Sequence, residues 1–455
     1  MSKRNKKSSF LGLFITILII ISAIYIYFST TFEREVPKIT IENNGFWNLK
    51  KPLDIQISDN SGIKEYKIVL KTKDTERILV HEEPLMTEKI VNIKLDPPRL
   101  AYTMKDKELD ILVFARDKSK WNLLEGNSII QKFHLEIDKK RPQLSIVANS
   151  YKVSLGGSAL VIFKASDANL NKLYIELNDK RRFKVEPFYK DNYYISLIAW
   201  PIRNKTFRAS VIAKDKAGNI SKSYIPLYLK HKDYKLSKIT LKDSFLKGKI
   251  ADLAEEFEET QGVFEPLEQF KIINEKVRAK NESLIHKITS KVPSQRIENF
   301  KMRKLYPLKN GQVVAHFGDH RKYYYKGKFV SEAYHLGIDM ASHAMAPIIS
   351  QNEGKVVFSD YNGLYGNNPI IDHGLGLYTL YGHCSSVDIA TGDEISKNTK
   401  IANTGKTGYA MGDHLHFGVL VQGIEVRPQE WMDKKWMRLN ITDVIKNAKK
   451  IIDKE

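Results

Sequence analysis

The chain has 455 residues, enough for about three domains, and its 42% hydrophobic and 10% aromatic content excludes an intrinsically disordered protein. It carries 73 basic and 53 acidic residues, and this excess is spread along the chain, which argues against a nucleic-acid-binding arm. The diffuse charge suits an anionic envelope polymer or lipid headgroups, although a lysine-rich proteome would produce the same excess. Cys384 is the only cysteine, so no intramolecular disulfide can form.

The N-terminus predicts a membrane anchor. Four cations in the first seven residues precede "FLGLFITILIIISAIYIYF", Phe10 to Phe28, a run of nineteen uncharged residues. As a helix this run would be about 28 Å long, close to the roughly 30 Å hydrocarbon core of a bilayer. It is longer than the apolar region of a signal peptide, and it ends in aromatic residues that suit the membrane interface. We expect residues 1–31 to form a cytoplasmic basic tail and an uncleaved single-pass anchor in the cytoplasmic membrane. The remaining chain then lies in the periplasm or on the outer side, and a cleaved signal peptide is the alternative.

From about residue 36 to 229 the sequence shows short β-type runs between turns, such as "LDIQISD" and "DILVFARD". Their alternation of apolar and polar residues indicates antiparallel strands in sandwiches. The segment also looks internally repeated, because "VPKITIENN" returns as "RPQLSIVANS" and "QISDNSGIKEYKIVL" as "KASDANLNKLYIEL". We expect two immunoglobulin-like modules, 36–138 and 139–231. We interpret them as a spacer or scaffold, and recognition of an envelope protein partner is the alternative.

Two later segments have helical patterns. Apolar residues take helical spacing between Ser237 and about Val292, interrupted by the breaker "QGVFEP". This predicts a helical hairpin or linker over 232–303. The tail "NITDVIKNAKKIIDKE" predicts a closing amphipathic helix over 435–455.

Between them, residues 304–434 are rich in glycine, aromatics and β-type runs, and contain three short motifs with chemistry-bearing side chains. "HLGID" places His335 and Asp339 four residues apart, "YGHC" places His383 after a strand-like run, and "HLH" contains His414 and His416. Gly337 favours an extended or looping segment at "HLGID" over a helix. Side chains two or four apart lie on one face of a strand, so His335 and Asp339 could converge on one ion, and His414 and His416 share a face. Two histidines and an aspartate with an open fourth position are typical of catalytic zinc, and two further histidines would handle protons. Each motif alone is weak, because an HxH pair in a strand is often structural.

In this order and spacing the motifs resemble the lysostaphin-type, LytM-like zinc endopeptidases of bacterial cell walls. The resemblance runs from "VVAHFGDH" through "YHLGIDMASHAMAPIISQNEGKVVFSDYNGLYGNNPIIDHGLGLYTLYGHC" and "GDHLHFGV" to "VRPQEW", about residues 305–434. It implies a mainly β chain that ends in an antiparallel-β peptidase domain. It also implies one zinc ion held by His335, Asp339 and His416, with His383 and His414 as catalytic histidines that do not bind the metal. The glycines of the pattern are expected in turns with positive φ: Gly337, Gly354, Gly366, Gly374, Gly376, Gly392, Gly405 and Gly408.

The resemblance implies a zinc-dependent endopeptidase that hydrolyses peptide cross-links or stem peptides of peptidoglycan in cell-wall remodelling. The alternative is a non-catalytic or autoinhibited regulator or scaffold that activates other wall hydrolases, because some members of the family lose metal ligands. The helical segment lies directly before the domain, which suggests the hypothesis that it packs over the catalytic groove and regulates access.

Three neighbours of the motifs have competing interpretations. Cys384 beside His383 suggests a cysteine nucleophile, but adjacent strand residues face opposite sides, which favours a buried thiol. Tyr334 and Tyr381 either donate to an oxyanion or pack in the core or cleft wall.

Overall fold

The computed structural model describes residues 5–42, 45–99, 104 and 106–455. The protein is mainly β, with an apolar N-terminal helix and several further helices. It divides into two compact units. The first runs to Pro142 and includes Asp167–Asn171 and Lys214–Ile220, and the second contains Gln143–Ser166, Lys172–Ala213 and Ser221–Glu455.

The first unit begins with helix α1 (Asn5–Phe28), followed by a 3-10 turn at Thr30–Phe32. Within α1, the 18 residues Leu11–Phe28 have a mean hydropathy of 2.5. By length and composition this helix can cross a membrane, and a signal sequence has the same properties. It is therefore a candidate anchor or signal.

Eight strands complete the first unit: β1 (Lys38–Ile41), β2 (Phe46–Trp47), β3 (Leu53–Ser58), β4 (Ile63–Lys71), β5 (Glu76–Glu82), β6 (Ile90–Leu95), β7 (Glu108–Asp117) and β8 (Ser128–Ile137). They form two sheets, of order β1-β3-β6 and β2-β8-β7-β4-β5. Apolar residues alternate along β3, so Ile55 and Ile57 are buried while Asp54 and Gln56 are exposed. The buried faces of both sheets share one hydrophobic core. The immunoglobulin-like connectivity of this module stays a prediction.

The second unit starts with ten strands: β9 (Gln143–Asn149), β10 (Lys152–Ser154), β11 (Ser158–Ser166), β12 (Leu170–Leu177), β13 (Arg182–Phe183), β14 (Glu186–Pro187), β15 (Tyr193–Ala199), β16 (Ala209–Asp215), β17 (Ile220–Tyr224) and β18 (Tyr228–Lys230). Their sheets have the orders β14-β15-β11-β9, β13-β12-β16-β17 and β10-β18. Strand β11 is buried along most of its length because β15 and β9 flank it on both sides.

The connecting segment differs at its start from the helical pattern of the sequence. Residues Leu236–Thr240 form strand β19, and the first helix begins only at Asp243. The five residues of β19 pair in parallel with a strand of the last domain, which satisfies their backbone groups better than an isolated helical turn would. The helices are α2 (Asp243–Phe245), α3 (Ala251–Glu256), α4 (Pro266–Ile272) and α5 (Arg278–Thr289), with π-helical turns at Leu246–Ile250 and Ile273–Val277 and a 3-10 turn at Glu258–Thr260.

Thirteen further strands follow: β20 (Gln312–Ala315), β21 (His320–Tyr325), β22 (Lys328–Tyr334), β23 (Ile338–Ala341), β24 (Pro347–Ile349), β25 (Gly354–Phe358), β26 (Ile370–Asp372), β27 (Leu377–Gly382), β28 (Ser386–Val387), β29 (Glu394–Ile395), β30 (Lys400–Asn403), β31 (Leu415–Val421) and β32 (Ile424–Val426). The largest sheet is antiparallel, with the order β20-β23-β31-β27-β26-β25-β29 and β32 added to β31. A 3-10 turn, Gly363–Tyr365, interrupts the chain before β26. Strand β31 is buried at all seven positions because it lies between β23 and β27.

The C-terminal residues join the second module to the last domain. They form α6 (Pro428–Trp431), α7 (Lys434–Met437), a π-helical turn (Arg438–Thr442) and α8 (Asp443–Ile452). The Trp431 side chain is fully buried, and its Nε1 donates to Ser158 Oγ at 3.2 Å. Ser150 Oγ donates to the Asn440 carbonyl at 2.8 Å. A single hydrophobic core runs through these contacts, so module and domain are packed as one body.

Glu186 in β14 is a buried carboxyl group that makes the second unit sensitive to pH. It is 1% exposed, and within the described residues neither carboxylate oxygen has a hydrogen-bond partner. Burial and the nearby Asp372 carboxylate raise the pKa of Glu186 from 4.5 to about 7. The folded protein therefore holds a proton on Glu186 that the unfolded chain releases, so the contribution of Glu186 to stability is largest below about pH 4.5 and is lost as the pH rises through about 7.

We expect Glu186→Gln to remove this loss and to raise the free energy of unfolding at pH 8 by about 2–3 kcal/mol. Denaturant unfolding at pH 5 and pH 8 measures the difference. Glu298→Gln, at an exposed position, is the matched control and should leave the pH dependence unchanged. If the free energy of unfolding changed equally with pH in wild type and Glu186→Gln, ionisation of Glu186 would not destabilise the folded protein.

Candidate functional site

Three side chains of the "HLGID" and "HLH" motifs converge on one point. His335 Nε2 lies 3.0 Å from Asp339 Oδ1, and His416 Nδ1 lies 2.9 Å from the same oxygen. The two imidazole nitrogens are 3.1 Å apart. The three atoms thus form a compact triangle of potential metal donors, one from each residue.

Strand register explains this convergence. Asp339 in β23 lies directly opposite His416 in β31, and Gly382 of β27 faces His416 from the other side. Gly382 and Gly337 leave the His416 ring room between its neighbours. His335 is not in a strand, since it lies in the irregular connection between β22 and β23. It reaches Asp339 from this looping connection, so the two side chains do not alternate along one strand.

Hydrogen bonding prepares the two metal-facing rings. His335 Nδ1 donates to the His316 carbonyl at 2.9 Å, which orients the ring so that Nε2 faces Asp339. Burial would raise the pKa of Asp339, but the hydrogen bonds of His335 and His416 outweigh it and lower that pKa. The Asp339 carboxylate is therefore ionised beside two imidazoles.

His383 and His414 lie next to this triangle. Their ring centroids are 4.8 Å apart, and the His383 centroid is 5.9 Å from that of His416. His383 follows β27 with a φ of 66°, a left-handed turn that points its ring away from the strand direction. Its Nδ1 lies 2.9 Å from the Thr407 carbonyl, and the Nδ1 of His414 lies 2.8 Å from the Gly412 carbonyl. Both rings donate through Nδ1 and keep Nε2 available.

The electrostatic setting favours neutral imidazoles. Burial lowers the pKa of His383 to about 3, and the adjacent rings of His416 and His414 reinforce the shift. Burial also lowers the pKa of His416, although Asp339 opposes it. Neutral imidazoles are the form that binds metal ions and accepts protons.

The site opens into a cavity of about 600 Å³. The five residues predicted from the sequence all line it, and Tyr334, Tyr365 and Tyr409 contribute aromatic walls. The connecting segment contributes a further part of the lining, through Ile239–Lys242, Phe245 and Arg278. Because these residues and the histidines enclose one space, the connecting segment is part of the site.

The structure separates the remaining candidates. Cys384 is fully buried, and burial raises the pKa of its thiol to about 12, so it is no nucleophile. Tyr381 packs against Phe417 in the core and does not line the cavity, whereas Tyr334 does. The His373 ring is engaged by the Glu353 carbonyl and Thr379 Oγ1, outside the cavity.

The sequence motifs did not indicate Tyr365, which lines the cavity, or Asn281, which holds the turn before it. The Tyr365 ring lies 5.6 Å from that of His416, and Asn281 Oδ1 on α5 accepts a hydrogen bond from the Leu364 amide. Gly363 was the hint in the sequence of a tight turn at this point, and its φ of 48° lies in the left-handed region that favours glycine.

Gly337 is expected to be intolerant of a side chain, because a Cβ there would lie 2.6 Å from His416 Nε2. Gly337→Ala should displace the His416 ring and weaken the affinity of the donor triangle for a metal ion by about 10–100-fold, the size of effect that loss of supporting contacts has. Competition with a chromophoric chelator measures the affinity. Gly248→Ala, at a helical glycine with open space around it, should leave the metal affinity unchanged. Equal affinities for both variants would contradict the role of Gly337.

Comparison with known proteins places this region in a family. Residues 333–428, which include all five site residues, match the model described as peptidase family M23. A 111-residue stretch is 34% identical to "Peptidoglycan DD-endopeptidase ShyB" of Vibrio cholerae, covering 24% of this chain and 25% of that protein. A 94-residue stretch is 35% identical to "DD-carboxypeptidase/endopeptidase Mpg" of Neisseria meningitidis, covering 21% and 22%. The chain thus spans about a quarter of the length of these curated relatives.

Among solved structures, "a zinc containing peptidase from vibrio cholerae" aligns with a TM-score of 0.27 and 15% identity, over 72% of this chain and 83% of that one. The match to the family model shows that residues 333–428 of this chain form a domain of peptidase family M23.

Proposed function

We propose that this protein is a zinc-dependent endopeptidase that hydrolyses peptide cross-links or stem peptides of peptidoglycan and acts in cell-wall remodelling. The observation that carries the proposal is the donor triangle of His335, Asp339 and His416 beside two free histidines, in a cavity of an M23 domain. The relative named "Peptidoglycan DD-endopeptidase ShyB" supports the substrate class, and the one named "DD-carboxypeptidase/endopeptidase Mpg" supports the reaction type.

The donor set fits one zinc ion. Tetrahedral zinc with bonds of about 2.0–2.2 Å separates its ligand atoms by about 3.4 Å, within a few tenths of an ångström of the separations in the triangle. Two imidazoles and one carboxylate are ordinary zinc ligands, and three protein ligands leave a position for substrate. Zinc held there would polarise the scissile carbonyl and lower the pKa of water to about 7.

His383 and His414 then serve as the general acid and base. His383 and His414 both present Nε2 to the cavity, where one ring takes the proton of the attacking water. The ring that carries this proton can stabilise the developing oxyanion or pass the proton to the leaving amine. The carbonyls of Thr407 and Gly412 hold both rings in the orientation that keeps Nε2 free.

The remaining parts of the chain are compatible with activity at the bacterial cell wall. We propose that α1 anchors the protein in the cytoplasmic membrane by a single pass, with the bulk of the chain in the periplasm or on the outer side. The two β modules serve as spacers or bind envelope proteins, and no nucleic acid is expected as a partner.

The test combines metal analysis with digestion of purified sacculi. The full-length protein in detergent should contain about one zinc per chain and release soluble muropeptides, and a chelator should stop the release. Mass spectrometry of the products identifies the cleaved bond. Metal-free protein and unchanged muropeptides would instead favour the alternative function, a regulator that activates other wall hydrolases.

A further inference from the structure

The cavity is lined by cations as well as by the histidines. These cations are Lys242, Arg278 and Arg321, from the connecting segment and strand β21. The carboxylates that line the cavity are already engaged. Asp339 belongs to the donor triangle, and Asp413 accepts hydrogen bonds from Thr404 Oγ1 and the Met345 amide. A ligand in this cavity therefore meets positive charge that the lining acids do not neutralise.

The three cations differ in how they are compensated. Arg321 Nε lies 3.3 Å from Asp319 Oδ2, so its charge has a partner, and Lys242 is exposed to solvent. Arg278 donates to Asn274, through Nη2 at 3.0 Å, and within the described residues it forms no ion pair. A half-buried guanidinium without a carboxylate partner is unfavourable on its own and gains most from binding an anion.

Arg278 is also held in place. Asn274 is buried, and its Nδ2 donates to Ser331 Oγ at 2.8 Å, which directs its Oδ1 at the guanidinium. Glu282, one helical turn further on, is close enough for Arg278 to affect its pKa, but burial is the larger effect and raises that pKa. The guanidinium is therefore positioned before any ligand arrives, which reduces the entropy cost of binding.

The position of Arg278 relative to the donor triangle is fixed by helix α5. Asn281, three residues later on the same helix, accepts a hydrogen bond from the Leu364 amide, and the next residue, Tyr365, packs against His416. The Arg278 guanidinium also lies 5.9 Å from the ring centroid of Tyr409. Through these contacts, helix α5 and the Gly363–Tyr365 turn fix the Arg278 guanidinium relative to the donor triangle.

We propose that Arg278 binds a free carboxylate of the peptide substrate and thereby makes the enzyme selective for acidic peptides. The inference rests on the proposed function. It adds that the substrate carries a free carboxylate and that Arg278 recognises this group. A bidentate guanidinium–carboxylate pair in this cavity also positions the peptide along the line from α5 to the histidines.

The test uses full-length protein and two synthetic cross-linked stem peptides that differ only in whether their side-chain and terminal carboxylates are free or amidated. Wild type should cleave the free acid with about 10–100-fold higher kcat/KM, the size expected of one charge-assisted pair. Arg278→Gln should lose that preference, mainly through a higher KM for the peptide with free carboxylates. Arg278→Lys should recover part of the preference for the free carboxylates, because lysine keeps the positive charge but cannot form a bidentate pair with a carboxylate.

Lys276→Gln, at an exposed position of the same segment, is the matched control and should keep the preference. Zinc content and thermal unfolding of each variant exclude a folding defect. Equal cleavage of both peptides by wild type and Arg278→Gln would overturn the inference and leave the proposed function intact. Cleavage of neither peptide by zinc-loaded wild type, with intact sacculi, would overturn the proposed function itself.

Discussion

Asp339→Asn is expected to abolish both zinc binding and turnover. The substitution keeps the shape of the side chain but removes the negative charge that lies 2.9–3.0 Å from both imidazoles of the donor triangle. Without that charge, two imidazoles and an amide are a poor zinc site, because only the carboxylate offsets the charge of the ion. Zinc should fall from about one to below about 0.1 per chain, and turnover of sacculi by more than about 10³-fold.

Elemental analysis of protein dialysed against trace zinc measures the first quantity, and release of soluble muropeptides measures the second. His416→Ala tests the same triangle from β31 and should behave alike. Asp388→Asn, at a surface aspartate paired with Lys400, should keep zinc and activity. Full zinc occupancy in Asp339→Asn would mean that the metal binds elsewhere.

His414→Ala and His383→Ala are expected to separate chemistry from metal binding. Neither ring belongs to the donor triangle, yet His414 Nε2 lies 3.8 Å from Asp339 Oδ1 and the His383 ring centroid lies 5.9 Å from that of His416. Each variant should keep about one zinc per chain while kcat falls by about 10²–10⁴-fold, the usual contribution of a positioned acid or base. The effect should appear in kcat more than in KM, because the proton moves only in the transition state.

His343→Ala is the matched control, since its ring is exposed and lies outside the cavity. If either site variant lost zinc together with activity, that histidine would be a ligand. If either kept full activity, it would have no part in proton transfer.

The identity of the site residues was predictable because the motifs are local. Alternation in "HLH" placed His414 and His416 on one face, and the structure has both lining the cavity. The resemblance supplied the division of roles, which stays a prediction until the variants are measured. The pairing of Asp339 with His416 depends on the register of two strands 77 residues apart, which no local pattern encodes.

The glycine prediction was partly wrong. Five of the eight glycines have positive φ, whereas Gly337, Gly354 and Gly405 do not. At these three positions a Cβ would collide with neighbouring atoms at 2.5–2.6 Å, so the requirement is close approach of chains. Sequence alone does not distinguish a turn from a crowded position, because both exclude side chains.

The composition of the cavity wall was beyond prediction for a similar reason. The helical periodicity of the connecting segment identified its apolar face, but Arg278 and Asn281 belong to its polar residues, which resemble any solvated surface. Only tertiary contacts, such as the bond between Asn281 and Leu364 across 83 residues, show that this surface faces a cavity. The hypothesis that the segment regulates access stays open, since the same residues form a wall that a substrate can use.

The core shared by the second module and the C-terminal helices also constrains the timing of biosynthesis. Ser150 bonds to a residue 290 positions later, and Ser158 to one 273 positions later. Both partners are translated long after the strands they cover, so the early strands wait with an uncovered apolar face. We therefore expect chains truncated before Trp431 to be protease-sensitive, because the core of the second module then stays open.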